Sequence, residues 1–181
     1  AQITTLLVFG LTTLYFLVQV APYRLSRILV FLNPSLDPQG AGYQINQALI
    51  AIGSGGFWGL GFGKSLQKFN YLPETIGDSI FAVYAEEMGF VGVFLLVGLF
   101  CFLLWRGFFI AKRAPDTFGK LLAAGITINI TLQSFINMAA ISGLLPLGGN
   151  TLPFISYGGT SLVITLTSVG ILLNISKRTI V

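Results

Sequence analysis

Long uncharged apolar stretches constrain this chain more than any other feature of its sequence. Residues 1–20, 88–105 and 121–176 each contain no Asp, Glu, Lys or Arg. A helix needs about 20 apolar residues to cross a hydrocarbon layer of about 30 Å, so each stretch can hold at least one span. Only 9% of all residues are charged, against about 25% in soluble domains. The chain is therefore predicted to be an integral membrane protein.

The third stretch is long enough for two spans, because residues 143–159 are rich in Gly and Pro, which favour a turn. The predicted fold is an all-α, polytopic transmembrane helix bundle with four spans. A large outer loop, residues 22–78, joins the first two. The spans are expected near residues 1–21, 79–110, 119–144 and 157–176.

The basic residues indicate the orientation of this bundle. Short loops rich in Lys and Arg stay in the cytoplasm. This rule places the segment between the second and third spans, and the segment after the fourth, in the cytoplasm, with residues 22–78 outside. The residues concerned are Arg106, Lys112, Arg113, Lys120, Lys177 and Arg178. Topology thus accounts for the net charge of +4, and no nucleic-acid partner is expected.

The composition also excludes several kinds of site. There is no His, so Ser-His and Cys-His catalytic pairs and His-bound zinc are excluded. The one Cys, Cys101, cannot by itself build a disulfide or a metal cluster. No metal-ligating residue is assigned. Because residue 1 is an Ala inside an apolar stretch, the chain is expected to be the C-terminal part of a larger protein.

Four of the six acidic residues lie around the start of the second expected span: Glu74, Asp78, Glu86 and Glu87. Such a cluster at a membrane edge indicates where the acid chemistry of the protein is located. A structural interpretation of Asp78 also exists, because Thr75-x-x-Asp78 before an apolar run matches a capping box, with Asp78 at the third helical position. Glu86 and Glu87, about two turns into the helix, need partners or a protein cavity.

The expected outer loop contains a short helix and a Gly-rich run. Residues 43–52 are predicted to form a helix in the membrane interface. Residues 53–63 are too rich in Gly for regular structure. They form either a flexible linker or a surface against an amphiphile, in which case Lys64 and Lys68 would offer ammonium groups to its phosphates.

One polar stripe marks the third expected span. Asn129, Gln133 and Asn137 recur every four residues and so share one face of a helix. Two interpretations remain open: hydrogen bonds between helices, worth about 1 kcal/mol each, or the lining of a hydrated cavity for lipid head groups.

Several motifs are similar to those of one protein family. They are Asn33-Pro34-x-x-Asp37-Pro38-Gln39-Gly40-x-Gly42-Tyr43-Gln44, Gly59-x-Gly61, Leu72-Pro73-Glu74, Asp78-x-x-Phe81-Ala82-x-x-x-Glu86-Glu87-x-Gly89 and Leu152-Pro153-Phe154-Ile155-Ser156-Tyr157-Gly158-Gly159. With them the chain resembles the shape, elongation, division and sporulation family, the FtsW/RodA proteins, over nearly its whole length. The resemblance implies ten spans, of which the last four would be present. Ile76-Gly77 replaces the His-Thr pair frequent in the family, which favours the FtsW branch.

The resemblance implies a peptidoglycan glycosyltransferase of the bacterial cytoplasmic (inner) membrane. Such proteins polymerise lipid II, an undecaprenyl-diphosphate-linked disaccharide peptide, together with a class B penicillin-binding protein. Asp78 matches the essential Asp of the family and is expected to be the general base for the attacking sugar hydroxyl. The expected substrate-binding residues are Lys64, Lys68, Glu74, Gln133, Asn137 and Ser156.

The departing diphosphate needs positive charge or a metal, so the cofactor is left open, with a divalent cation as one option. Arg24 and Arg27 are the other cations of the expected outer loop. Two further functions stay open: a flippase for the lipid-linked precursor, since polar intramembrane groups also suit a transit path, and a non-catalytic scaffold for a partner synthase.

Overall fold

The computed structural model describes residues 22–67, 73 and 77–178, together with residues 10 and 12. The described elements are α-helices and one short 3-10 helix, Pro34–Leu36. The helices are α1 (Pro22–Leu32), α2 (Ala41–Ser54), α3 (Ile80–Arg113), α4 (Thr117–Ile141) and α5 (Gly159–Arg178).

Helices α3, α4 and α5 are long and apolar enough to cross a membrane. They coincide with the last three predicted spans, so the prediction of an all-helical membrane protein is confirmed for this part of the chain. The first predicted span, residues 1–21, lies outside the described residues except at residues 10 and 12. Helix α4 ends where Gly143 adopts a φ of 70°, a left-handed conformation that Gly adopts without steric cost.

Helices α3 and α4 pack closely because a Gly on one meets a small polar residue on the other. A Cβ atom on Gly107 would lie 2.1 Å from the Oγ1 atom of Thr127, so only Gly permits this approach. The Thr127 hydroxyl donates to the carbonyl oxygen of Ala123, 2.7 Å away. That bond satisfies the buried hydroxyl within its own helix. Asp116 starts α4 by accepting from the Gly119 N–H, 2.7 Å away.

Helix α2 confirms the short helix predicted at residues 43–52. The Asp37 carboxylate fixes its start by accepting from the backbone N–H groups of Gly40 and Ala41, both at 2.9 Å. Acidic side chains stabilise helix N-termini in this way because the first N–H groups of a helix have no partner within it. One apolar cluster joins α2 to α3, α4 and the segment after α4: Ala48, Ala51, Phe81, Met138 and Leu152.

Helix α3 is interrupted at Gly89, which has a φ of 63° and a ψ of −166°. Residues 55–67, which we call the docking segment, fill this break. A continuous helix would join Phe90 N–H to Glu86 C=O and Val91 N–H to Glu87 C=O. Instead, the Glu86 and Glu87 carbonyl oxygens accept from the N–H groups of Leu60 and Gly61, both at 3.0 Å. The N–H groups of Phe90 and Val91 donate to the carbonyl oxygens of Gly56 and Phe57, at 2.9 and 3.2 Å.

The docking segment also supplies the partners that the two buried glutamates need. The Glu86 carboxylate accepts from the Ser65 hydroxyl and from the Leu66 N–H, the latter at 3.0 Å. The Glu87 carboxylate accepts from the Ser65 N–H at 3.3 Å. Glu86 is only 1% exposed, so these bonds take the place of water around its carboxyl oxygens. The interpretation of the Gly-rich run as a flexible linker is therefore wrong.

Two glycines of the docking segment have the same backbone strain but differ in their contact with α3. Gly59 and Gly63 have nearly equal φ angles of 81° and 79°. A Cβ atom on Gly59 would lie 2.1 Å from the Glu87 carbonyl oxygen, whereas one on Gly63 would meet nothing within 4 Å. Gly63→Ala should cost about 1–2 kcal/mol of left-handed strain. Gly59→Ala should cost several kcal/mol, because the segment must also move off the helix.

The measurement is thermal unfolding of the full-length protein in detergent, with both variants compared with wild type. Equal losses of stability in the two variants would contradict the close contact between Gly59 and α3.

Candidate active site

A cavity of about 280 Å³ lies where α3 begins and α4 ends. We call it the Asp78 cavity. Its walls come from α1, α2, α4 and the segment that follows α4, and Asp78 lies just before α3. The polar and charged residues that line it are Arg27, Gln44, Asp78, Asn137 and Asn150, beside Gly148 and Gly149.

Asp78 precedes α3 and does not belong to its first turn. The helix begins at Ile80, and Ser79 occupies the N-cap position. The capping-box interpretation, which put Asp78 at the third helical position, is therefore wrong. The carboxylate lies on the cavity wall, and Asp78 is half-buried. A carboxylate in that position can meet a ligand in the cavity.

Three side chains from three different parts of the fold bind residues 77, 78 and 79 in turn. The Ser156 hydroxyl donates to the Gly77 carbonyl oxygen at 2.9 Å. The Asn137 amide donates to the Asp78 carbonyl oxygen at 3.0 Å. The Gln44 amide donates to the Ser79 hydroxyl at 2.9 Å. The backbone on both sides of Asp78 is thus tied to the rest of the structure.

Asn137 is a buried polar residue with one unused acceptor. Its Nδ2 atom donates to two carbonyl oxygens, those of Asp78 and Asn150. Two acceptors on one side fix the orientation of the amide, because its oxygen cannot replace the nitrogen there. The Oδ1 atom is buried and has no hydrogen-bond partner among the described residues. Since unpaired buried acceptors are costly, a donor from a ligand or from solvent suits this oxygen.

Arg27 brings a positive charge to the same cavity. Its Nη1 atom donates to the Leu147 carbonyl oxygen at 3.2 Å. A Cβ atom on Gly149 would lie 3.4 Å from Asp78 Oδ2 and 3.9 Å from Arg27 Nη1. The carboxylate and the guanidinium therefore both lie close to Gly149, on the same part of the cavity wall.

Only some of the other predicted site residues lie near the Asp78 cavity. Ser156 and Asn137 hold the backbone around Asp78. The Gln133 amide donates to the Thr151 carbonyl oxygen at 3.0 Å, which anchors the segment after α4. Lys64 is exposed in the docking segment and is absent from the cavity lining. Lys68 and Glu74 lie outside the described residues.

The three residues of the polar stripe on α4 also differ in their exposure. Asn137 is buried, Gln133 is half-buried, and Asn129 is exposed. Two members of the stripe thus hydrogen-bond to the chain beside the Asp78 cavity. Among the described residues, no group of three or more His, Cys, Asp and Glu is placed to hold a metal ion.

Sequence reasoning missed Gln44, Gly149 and Asn150 as neighbours of Asp78. Gln44 lies on a helix that was predicted only as an interfacial element. Gly149 and Asn150 lie in a turn that was predicted from its Gly and Pro content. The signal for Gln44 was its place in the motif that runs from Asn33 to Gln44. The signal for the turn was the Asn among its glycines, since Asn side chains are common in functional turns.

The fold and the cavity together define a multi-pass helical membrane protein with a carboxylate and a guanidinium in a cavity at one end of its spans. The sequence profile of the FtsW/RodA/SpoVE cell cycle proteins matches residues 1–180. The chain belongs to this family of the bacterial cytoplasmic membrane.

Individual relatives agree with this membership. The chain is 52% identical over 168 residues to stage V sporulation protein E of Bacillus subtilis, covering 93% of this chain and 46% of that protein. It is 50% identical over 163 residues to a probable peptidoglycan glycosyltransferase FtsW of Geobacter sp. strain M18, covering 90% and 44%. The chain thus spans about half the length of the curated relatives it matches.

Two solved structures share the fold. A chain of a peptidoglycan synthase complex that coordinates polymerization and crosslinking has a TM-score of 0.71 and 33% identity, covering 96% of this chain and 49% of that one. A mutant of the rod shape determining protein RodA of Thermus thermophilus has a TM-score of 0.57 and 36% identity, covering 74% and 40%.

The Asn137 amide should contribute measurably to stability. In Asn137→Ala, the carbonyl oxygens of Asp78 and Asn150 lose a donor, which should cost about 1–3 kcal/mol. Asn129→Ala is the matched control, because that exposed amide on the same helix should change stability by less than about 0.5 kcal/mol. Thermal unfolding of the full-length variants measures both. If the Asn137 variant melts like the Asn129 variant, these hydrogen bonds do not hold the cavity wall.

Proposed function

We propose that the full-length protein is a peptidoglycan glycosyltransferase that polymerises lipid II, with Asp78 as its general base. The observation that carries the proposal is the Asp78 cavity itself. It combines a carboxylate, a guanidinium and a buried amide oxygen that has no hydrogen-bond partner in the described part of the chain, around about 280 Å³. The names of the relatives support the same reaction.

The reaction requires the two charges to act on different parts of the substrates. Asp78 accepts the proton of the attacking sugar hydroxyl as its oxygen forms a bond to the anomeric carbon of the donor. The bond from that carbon to the lipid diphosphate breaks, and the diphosphate leaves with the bonding electrons. Arg27 stabilises the negative charge of the leaving group. Asp78 Oδ2 and Arg27 Nη1 lie 3.4 and 3.9 Å from the position that a Cβ atom on Gly149 would take, so both groups can act at the same part of the cavity.

The remaining polar groups have roles in binding the head groups. Asn137 Oδ1 accepts from an N–H or O–H of the sugar, which supplies its missing partner. Gln133 and Ser156 shape the cavity wall through their bonds to the backbone of residues 151 and 77. Lys64, Lys68 and Glu74 stay proposed contacts of the substrate or its diphosphate. A divalent cation remains one option for further charge stabilisation.

We further propose that the Asp78 cavity faces the outside of the cytoplasmic membrane, where residues 22–78 form the outer loop. Lys112 and Arg113 end α3, and Lys177 and Arg178 end α5, both at the end of the bundle opposite to Asp78. Basic residues mark the cytoplasmic side. The proposed partner is a class B penicillin-binding protein, supported by the relative found in a peptidoglycan synthase complex.

The surroundings of the buried glutamates favour this function over a flippase. A transit path for a lipid head group needs polar side chains that face open space along the spans. The Glu86 carboxylate is instead bound by the docking segment, and Glu86 is absent from the lining of the Asp78 cavity.

Removal of the proposed base should stop polymerisation without unfolding the protein. Asp78→Asn keeps the size of the side chain but cannot accept the proton, so the rate of polymerisation should fall by about 100-fold or more. The full-length protein with its synthase partner, in proteoliposomes with lipid II, provides the assay.

Asp116→Asn is the matched control, because an Asn also caps a helix and Asp116 lies at the far end of α4. Its rate should equal that of wild type. Near-normal glycan synthesis by the Asp78 variant would exclude Asp78 as the base, and a folded wild-type protein without activity would favour the scaffold function.

A further inference from the structure

We infer that Gln44 is a positioning residue that orients Asp78 through Ser79. The inference rests on the proposed function, because it concerns the position of the Asp78 carboxylate, the proposed base. It assigns a role to a side chain of α2, a helix that supplies no proposed catalytic group.

The first support is the unusual use of Ser79. Ser is among the best N-cap residues because its hydroxyl can accept from the first free N–H groups of a helix. Ser79 is the N-cap of α3, yet its side chain makes no capping hydrogen bond. Its hydroxyl accepts from Gln44 Nε2 at 2.9 Å instead, and Ser79 is completely buried. The contact with α2 thus replaces the helix cap.

The second support is the geometry of the backbone at Asp78. A peptide unit is planar, so φ and ψ of a residue are set by the planes before and after it. Ser156 holds the plane before Asp78 through the Gly77 carbonyl, and Asn137 holds the plane after it through the Asp78 carbonyl. These two bonds tie Asp78 to α4 and the segment after it.

Gln44 connects the start of α3 to α2, which forms another wall of the cavity. It comes from α2 and, like Asp78, lines the cavity. Without its bond to Ser79, the start of α3 could shift relative to α2, and the Asp78 carboxylate would change its distance from groups bound in the cavity. A misplacement of about 1 Å can lower a rate by about 100-fold, because proton transfer requires hydrogen-bond distance. Gln44 therefore acts on the rate of the chemical step.

The kinetic test compares three variants of the full-length protein with its synthase partner in lipid II proteoliposomes. Gln44→Met keeps the length of the side chain and removes its donor, and Ser79→Ala removes the acceptor. Each should lower kcat by about 10-fold or more with KM unchanged, and the double variant should be no worse than either single one. Gln47→Met, one turn further along α2, is the control and should match wild type.

A second readout does not depend on activity. Asp78→Cys, with all other cysteines of the full-length protein replaced, reports the placement of this side chain by its rate of reaction with a negatively charged thiol reagent. Gln44→Met should change that rate by about 5-fold or more, since reactivity depends on access and surrounding charge. Gln47→Met should leave it unchanged.

Several results would overturn the inference. A higher KM with unchanged kcat in Gln44→Met would make Gln44 a substrate contact. An unchanged kcat together with unchanged labelling would show that Gln44 does not position residue 78. If Asp78→Asn retained activity, the assignment of the base would fail, and the labelling rate would still report whether Gln44 sets the position of this side chain.

Discussion

Polar groups within a membrane-spanning bundle must find partners inside the protein, and the structure depends on this constraint. The break in α3 at Gly89 frees two N–H groups and two carbonyl oxygens that a continuous helix would pair. The docking segment binds all four and also surrounds the buried Glu86 carboxylate. In a bilayer, unpaired backbone groups cost several kcal/mol each. The break is tolerated only because the docking segment, which precedes α3 in sequence, packs against it and fills it.

The same constraint identifies one unusual polar residue in the Asp78 cavity. Helix α4 satisfies its buried hydroxyls within itself, as Thr127 and Ser134 donate to carbonyl oxygens one turn earlier. Asn137 differs from them, because its amide nitrogen donates to two neighbouring segments while its oxygen has no hydrogen-bond partner among the described residues. The only other such atom among the described residues is Gln67 Oε1, which lies in the docking segment, whereas Asn137 lines the Asp78 cavity, where a ligand can supply the donor. Asn137 therefore has two roles: its nitrogen stabilises the fold around Asp78, and its oxygen is proposed to bind the substrate.

The sequence predicted the local features of this protein well and its long-range contacts poorly. The last three spans and helix α2 were predicted, because hydropathy and helix periodicity are properties of neighbouring residues. The interpretation of Asp78 as a helix cap was wrong, and so was the flexible linker. Both errors have one cause: Ser79 and Gly59 are used in contacts with α2 and α3, which no local pattern encodes. The roles of Lys64, Lys68 and Glu74 stay predictions.

The sequence alone determined that this is a helical membrane protein of the FtsW/RodA type, that most of its acidic residues gather around the start of the second expected span, and that this chain has no His to act as a base. Each of these follows from composition or from motifs of adjacent residues. Only the tertiary structure decided which groups surround Asp78. Arg27 reaches its cavity from α1, and Ser156 binds Gly77 across 79 positions of sequence. Such contacts arise when helices pack, since packing brings together side chains whose separation along the chain carries no signal.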